Sequence, residues 1–267
     1  MSMAVQVFTR RLSQHATQAS ALVKRKRFYK EVGLVSDNDN GSSFKVSLDG
    51  KILKTLVGKP LKIQSEPLAL AVAEEWSSQE EFIEMGHMRL TGLSFTAQDN
   101  PLQTTKESIT SKILEYLHGD TVLFFNPDSE KLFSAQKESW LPAIKHINKG
   151  LGTGLTPQED MFAEAVNTED YERVKKWLLS HNHWALHGVQ YAVETVKSVI
   201  LPYNVTTFNL SAGDAVTCAL LEQKIQAETW GDVEWAHGIE QEELTSRLSA
   251  ACLFVYFNSH NYTLTKL

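Results

Sequence analysis

The sequence predicts an α+β protein in which a small β-sheet domain with packed helices, residues 28–127, precedes an all-helical domain, residues 128–267. Three observations carry this prediction. Residues 44–54 alternate apolar and polar side chains around an Asp-Gly pair, the strongest short-range signal for a β-hairpin. Strand-type runs cease after Pro127. Every later apolar pattern has helical spacing, so we place the domain boundary at residue 127.

The strands of the predicted sheet come first along the chain. Residues 28–35 have the composition of a strand, and a polar loop separates them from the hairpin. Asp49-Gly50 supplies the two-residue turn of that hairpin, and residues 61–63 predict a third strand after a Gly-Lys-Pro turn. A short apolar run, residues 121–125, is expected to enter the sheet as a buried strand.

Two helices are predicted in the same half of the chain. Ser65 is the expected N-cap of the first, with Pro67 in its opening turn, where a missing N–H costs nothing. Thr104 and Glu107 predict a capping box for the second helix, which Gly119 ends. The first helix carries one apolar stripe that should lie on the sheet, formed by Leu68, Val72 and Trp76.

Five helices are predicted beyond the boundary. The first carries Leu132, Gln136 and Trp140 on one face, and the second covers residues 171–179. A long helix over residues 184–201 is expected to end at Pro202. The last two cover residues 211–228 and 239–257. Helices without intervening strands predict an orthogonal or bundled helical domain.

The N-terminus has the composition of a targeting segment. Its first thirty residues contain no Asp or Glu and seven basic side chains, and they are rich in Ser, Thr, Ala and Gln. Because no apolar core of a secretory signal is present, we assign residues 1–27 to a mitochondrial transit peptide. The alternative is a basic tail that touches nucleic acid. Cutting after Lys30 changes the formal charge from −6 to −13, which argues against binding to a phosphate backbone.

The sequence offers few candidates for catalysis. Two cysteines, Cys218 and Cys252, lie in apolar helical patterns and are expected to be reduced core residues. Three glycines, at 150, 152 and 154, follow a helix instead of a strand and lack the motif of a phosphate loop. His183 and His187 have the i, i+4 spacing of zinc ligands on a helix, with His181 just before them. A capping or packing role is the other interpretation of these histidines.

One carboxylate is distinguished by its position. Glu222 follows Cys218 by four residues, so it projects along a stripe of small and apolar side chains, where a charge should be partly desolvated. Two interpretations remain open at this stage. An intramolecular cation such as Arg247 or Lys224 could neutralise Glu222, or the carboxylate could anchor a basic group on a partner protein.

The order of several short motifs is similar to that of one family. In the N-terminal half these are Asp49-Gly50-Lys51, Gly58-x-Pro60, the helix with Ala73, Glu75, Trp76 and Gln79, and the run Met88-x-Leu90-Thr91-x-Leu93 before Asp99. In the C-terminal half they are Leu132-x-x-x-Gln136-x-x-x-Trp140, Trp184-Ala185-Leu186, Leu221-Glu222 and the block Trp230-Gly231-x-x-Glu234-Trp235-Ala236-His237. The chain resembles the mitochondrial ATP synthase F(1) complex assembly factor 2 family over nearly all of residues 28–257.

This resemblance implies a chaperone and not an enzyme. The expected partner is the free α subunit of the ATP synthase catalytic head, held in the mitochondrial matrix by a protein that needs no cofactor and is monomeric when free. By the resemblance, Glu222 and Glu234 are the expected partner-binding residues, and Trp76, Trp140 and Trp230 are expected to be structural. Two alternatives remain: a metal-dependent matrix enzyme that uses His183 and His187, and a general holdase without a dedicated client.

Overall fold

The structure, a computed structural model, describes residues 25–36, 43–160, 166–230 and 234–259. The predicted α+β class is confirmed, because small N-terminal sheets precede a mostly helical remainder. Most of the predicted transit segment, residues 1–24, lies outside the described residues. The two predicted domains with a boundary at residue 127 stay a prediction.

A three-stranded antiparallel sheet is formed by β2 (Val32–Ser36), β3 (Phe44–Leu48) and β4 (Lys51–Ile52), in the order β2-β3-β4. The turn between β3 and β4 is the predicted one, and Asp49 and Gly50 both have positive φ, at 47° and 76°, as a two-residue hairpin turn requires. Residues 61–63 add only a bridge between Ile63 and Phe44.

A second, two-stranded sheet pairs the N-terminal β1 (Arg25–Lys26) with β5 (Phe82–Ile83). The predicted strand over residues 28–35 is only partly present: β2 covers its second half, residues 27–31 are not strand, and β1 lies before the predicted range, in the other sheet. Arg27, between the two strands, accounts for the interruption: its guanidinium donates to the nearby carbonyls of Tyr29 and Lys30 and also to the distant carbonyls of Ser77 and Gln79, which holds the chain in a bend.

Ten α-helices complete the described residues. In chain order they are α1 (Glu66–Ser77), α2 (Arg89–Asp99), α3 (Lys106–His118), α4 (Glu130–Leu151), α5 (Thr168–Ser180), α6 (His183–Val196), α7 (Ile200–Thr206), α8 (Ala212–Ala219), α9 (Leu221–Trp230) and α10 (Glu234–Ser259). The predicted N-cap Ser65 accepts a hydrogen bond from the Leu68 N–H. The capping box of α3 is formed by Thr105 and Ser108, one residue beyond the predicted pair.

The predicted strand over residues 121–125 is wrong. Thr121–Leu123 form a 3₁₀ turn, followed by a single bridge between Phe124 and Gln158. The reason is Asp120, a fully buried carboxylate that accepts hydrogen bonds from the backbone N–H groups of Val122, Val199 and Ile200. The carboxylate thus caps the 3₁₀ turn and the start of α7, and holds this segment away from either sheet.

The predicted helix over residues 184–201 is two helices. α6 ends at Val196 because Lys197 adopts the left-handed conformation, with φ 54°. α7 then begins at Ile200, so Pro202 lies in its first turn, where proline is tolerated, and does not end the preceding helix. The predicted helix over residues 211–228 is likewise divided at Leu220 into α8 and α9.

Buried apolar residues form two clusters. The first packs the sheets against α1 and α2, and the second fills the helical remainder from α3 onward. The long helix α10 contributes to both, since Phe254 belongs to the first cluster while Leu248, Ala251 and Val255 belong to the second. α10 lies tightly against α6 at Gly188, where an added Cβ would approach Val255 Cγ2 to 2.8 Å.

Candidate functional site

Glu222 lies in the first turn of α9, facing α4. The amide nitrogen of Gln136 donates to Glu222 Oε1 at 2.8 Å, and the Gln136 carbonyl accepts the Asn126 N–H at 2.8 Å. Gln136 is fully buried, whereas Glu222 is half-buried. The carboxylate is therefore held in one position by a buried amide whose own orientation is fixed by the backbone.

Cations near this site are engaged elsewhere. Lys131 pairs with Glu228 at 2.7 Å, further along α9. Arg247, one of the two intramolecular partners proposed for Glu222, pairs with Glu243 at 2.8 Å. Among the residues that the structure describes, Glu222 has no Lys, Arg or His nitrogen within 4.0 Å. Its charge is oriented by a neutral amide and is not neutralised there.

Trp140 lies on α4 next to the residue that binds this carboxylate. It is fully buried one turn beyond Gln136 on α4, and its indole N–H donates to the Cys218 carbonyl at 3.0 Å, at the end of α8. Phe125 packs edge-on against it, with ring centroids 5.5 Å apart. Because this hydrogen bond ties α4 to α8 just before α9 begins, Trp140 sets the position from which Glu222 projects.

The other two residues predicted near this site, Glu234 and Trp230, have side chains outside the described residues. Glu234 is the first residue of α10 and Trp230 the last of α9. Their predicted roles, partner binding for Glu234 and structural for Trp230, stay predictions.

Trp76 lies on α1, away from Glu222. It is 5% exposed, and its ring packs against Tyr29, with centroids 5.7 Å apart. The Tyr29 hydroxyl donates to the Trp76 carbonyl at 2.7 Å. Trp76 thereby joins the segment before β2 to α1, within the N-terminal cluster.

Two motifs that are separate in the sequence, Glu75-Trp76 and Leu90-Thr91, are in contact in the structure. Glu75 on α1 accepts the N–H groups of Leu90 and Thr91 at 2.8 and 2.7 Å, and also the Thr91 hydroxyl at 2.7 Å. Burial raises the pKa of this carboxyl, and the three hydrogen bonds oppose that rise. Helix α2 has no capping side chain of its own at Met88, so Glu75 acts as its cap.

The candidate metal ligands are placed as follows. The rings of His183 and His187 lie edge-on, 4.7 Å apart. His183 Nε2 contacts the Thr104 carbonyl at 3.1 Å, and His181 Nδ1 contacts the Trp177 carbonyl at 3.0 Å. In the described part of the chain no group of three or more His, Cys, Asp or Glu side chains has the arrangement of a metal site.

The glycine segment and the cysteines have local structural roles. The Arg173 guanidinium donates to the Gly152 carbonyl, and the Gly154 N–H donates to Asp170 Oδ1 at 2.8 Å. Both cysteines are buried, and burial raises the pKa of Cys218 to about 11 and that of Cys252 to about 12. They are protonated thiols at neutral pH, which are poor nucleophiles.

The sequence did not indicate the partners of two buried polar residues, Gln136 beside Glu222 and Asp120 at the start of α7. Gln136 was visible as one polar residue on an apolar stripe, yet nothing in the sequence pairs it with Glu222. Asp120 was visible only as an acidic residue before an apolar run. For both, the signal was a polar residue at a core position, since such residues are buried only with partners.

Comparison with known proteins identifies relatives along most of the chain. Residues 26–148 match the family model described as ATP12 chaperone protein. The mitochondrial protein atp12 of Schizosaccharomyces pombe is 28% identical over 255 residues, which cover 90% of this chain and 87% of that protein. The mitochondrial protein ATP12 of Saccharomyces cerevisiae is 26% identical, with the same coverage.

Solved structures show the same fold. The crystal structure of Atp12 from Paracoccus denitrificans superposes with a TM-score of 0.77 at 24% identity, over 88% of this chain and 98% of that one. The Atu1473 protein of Agrobacterium tumefaciens superposes with a TM-score of 0.78 at 25% identity, over 87% and 85%. No helix in the described residues is long and apolar enough to span a membrane. The predicted resemblance is confirmed: residues 26–148 match the ATP12 chaperone family model, and most of the chain is similar to mitochondrial ATP12 proteins.

Proposed function

We propose that this chain, as a chaperone of ATP synthase assembly, binds the free α subunit of the catalytic head. It shields the surface of the α subunit that faces the β subunit until the α/β hexamer assembles. It acts in the mitochondrial matrix as a monomer, without a cofactor and without catalysing a reaction. The match of residues 26–148 to the ATP12 chaperone family model, and the similarity of the chain to mitochondrial ATP12 proteins, support this proposal.

The observation that carries the proposal is the state of Glu222. The carboxylate is half-buried, oriented by the buried Gln136 amide, and has no cationic partner among the described residues. An ionised group that is partly removed from water without a counter-ion carries a desolvation cost. A basic side chain of the client supplies the missing charge, and the preset orientation favours one geometry of approach.

Capture of the α subunit and its release to the β subunit require no catalysed reaction. An isolated α subunit exposes the apolar surface that normally faces its neighbours, and such a surface aggregates unless it is covered. A chaperone that binds this surface stabilises the free subunit by mass action. The β subunit then displaces the chaperone because the permanent complex buries a larger interface than a transient one does.

The proposal predicts that charge reversal at Glu222 abolishes capture of the client. A Glu222→Lys variant, lacking residues 1–24 so that β1 is kept, should bind purified α subunit at least ~10-fold more weakly than the unmodified protein of the same length, because like charges would then face each other. Affinity is measured by titration calorimetry. Glu138→Lys is the matched control, because Glu138 is an exposed residue on the neighbouring helix α4 with no side-chain bond described. This control should bind normally.

Equal binding by the Glu222→Lys and Glu138→Lys variants, with both melting like the unmodified protein, would show that Glu222 is not the anchor. A pull-down from matrix that recovers no α subunit would contradict the client itself. Equal protection of unrelated unfolding proteins would indicate a general holdase. Stoichiometric zinc in the purified protein would favour the metal-dependent alternative.

A further inference from the structure

A second concave surface lies on the opposite half of the molecule from Glu222. It is a groove of about 610 Å³ between residues 51–56 and the buried Trp76 of α1. Large apolar side chains along it face water: Leu56 is 85% exposed, Phe28 56% and Met85 42%. Soluble proteins seldom expose several such side chains around one depression unless it receives a partner. We call this surface the Trp76 groove.

Two polar atoms in the wall of the Trp76 groove lack partners. The Trp76 indole N–H and the Thr55 hydroxyl have no hydrogen-bond partner among the described residues. Both residues are 5% exposed. Buried donors are nearly always paired in folded proteins, because an unpaired one forfeits its hydrogen bond to water without replacement. The indole nitrogen itself is closed to water, so an acceptor such as a peptide carbonyl reaches this donor only if the side chains that line the groove move aside.

The geometry of the wall fits an extended chain. Residues 51–56 line the groove as one uninterrupted run, and β4 lies at an edge of the three-stranded sheet. Within this run, residues 53–55 already pair with residues 59–61, because the Leu53 carbonyl accepts the Leu61 N–H and the Thr55 N–H donates to the Lys59 carbonyl, so the open edge is that of β4. Edge strands offer N–H and C=O groups to an added strand, the mode used by many peptide-binding domains.

The charged side chains around the Trp76 groove favour a negatively charged ligand. Arg25, Lys51 and Lys54 line it, and none has a carboxylate partner within 4.0 Å in the described part of the chain. The one carboxylate of the lining, Asp49, accepts the N–H groups of Lys30 and Glu31. The groove is thus cationic on a protein whose formal net charge is −6. The chain's own residues 1–24, which are basic, are repelled by it.

We propose that the Trp76 groove binds an extended, acidic segment of the client α subunit that also carries apolar side chains. This proposal rests on the proposed function for the identity of the client. It gives the chaperone two contacts of opposite sign, a carboxylate at Glu222 and cations at the groove. Clients that present only one of the two charges are then held weakly.

The test uses overlapping 15-residue peptides that cover the α-subunit sequence, titrated into ¹⁵N-labelled protein. The indole N–H of Trp76 gives its own resonance, which a Trp76→Phe variant identifies. At least one peptide with acidic and apolar residues should shift this resonance. The Lys51→Glu/Lys54→Glu variant should bind that peptide at least ~10-fold more weakly, because the charges of both side chains are reversed. Lys112→Glu/Lys145→Glu makes the same charge change at exposed sites outside the groove and should leave binding unchanged.

The groove proposal is overturned if no peptide shifts the Trp76 resonance, or if those that do bind the Lys51→Glu/Lys54→Glu variant with unchanged affinity. Intact α subunit then separates the two proposals. If it binds the unmodified protein and the Lys51→Glu/Lys54→Glu variant equally, the groove proposal fails while the proposed function stands. If it binds neither, the proposed function fails, and the peptide titration alone decides whether the Trp76 groove binds acidic segments.

Discussion

At the scale of single residues, burial decides what each polar group does. His187 is 8% exposed, and its Nε2 atom has no partner among the described residues. Burial, with the neighbouring His183 adding a smaller effect, lowers the pKa of His187 to about 4. A histidine of this kind packs as a neutral ring.

The pKa of His187 predicts a loss of stability in acid. Its folded-state pKa of about 4 lies below the unfolded value of 6.5, so the unfolded chain binds the proton more readily. The contribution of His187 to the free energy of unfolding is complete above pH 6.5 and decreases as the pH falls towards 4, by at most about 1.4 kcal/mol per pH unit. Urea unfolding between pH 7 and 5 measures this decrease.

A His187→Gln variant should lose much of that pH dependence, because no group titrates at this position. The control is His87→Gln, since the His87 side chain is 74% exposed beside Glu84. This control should keep the acid sensitivity of the unmodified protein. Identical pH profiles for the His187→Gln variant and the unmodified protein would contradict the assignment of a low pKa to His187.

At the scale of elements, side chains far away in the sequence set where two of the helices begin. Glu75 caps α2 from α1, and Asp120 caps α7 from the far end of α3. The familiar signal for a helix start is a capping residue immediately before it. Ser65, Ser129, Asn167, Asn182 and Ser211 follow this rule. The start of α2 lacks this local signal, so the sequence did not show that helix.

The cap supplied by Glu75 predicts a specific loss of stability. Glu75→Gln should lower the free energy of unfolding by about 1–3 kcal/mol, because the amide nitrogen of glutamine would face a backbone N–H that the carboxylate oxygen now accepts. Urea denaturation followed by tryptophan fluorescence measures the change. The neighbouring Glu74→Gln, an exposed position, is the control and should cost less than about 0.5 kcal/mol. Equal effects of the two variants would exclude the capping role.

At the scale of the whole molecule, α10 joins the two apolar clusters. Phe254 is fully buried in the N-terminal cluster and stacks on Trp184 of α6, with ring centroids 6.0 Å apart. The neighbouring residues Ala251 and Val255 belong to the other cluster. The C-terminal helix thus completes the core of the N-terminal half, which ties the stability of the two halves together.

Truncation of Phe254 tests this coupling. Phe254→Ala should lower the free energy of unfolding by about 3–5 kcal/mol, because removal of a buried ring leaves a cavity. Since α10 packs in both apolar clusters, the variant should still unfold in a single transition. Leu253→Ala is the control on the same helix, since Leu253 is 47% exposed, and it should cost far less. Two separated transitions in the Phe254→Ala variant would show that the halves unfold as independent domains, and would support the predicted boundary at residue 127.

The sequence by itself determined the class of fold, the hairpin at Asp49-Gly50, the apolar stripe of α1 and the family resemblance. These follow from local rules, because turn conformation, helix capping and the period of apolar residues depend on neighbours within a few positions. Glu222 was likewise recognised from its place among small and apolar side chains.

Only the tertiary structure decided how polar groups far apart in sequence satisfy one another. It placed Gln136 against Glu222, Glu75 against the start of α2, and Asp120 beneath α7, and so turned a predicted strand into a 3₁₀ turn. It also gathered Thr55, Trp76 and the lysines of residues 51–54 around one groove. The physical reason is that a buried polar group must find a partner wherever the packed chain provides one, and sequence distance plays no part in that choice.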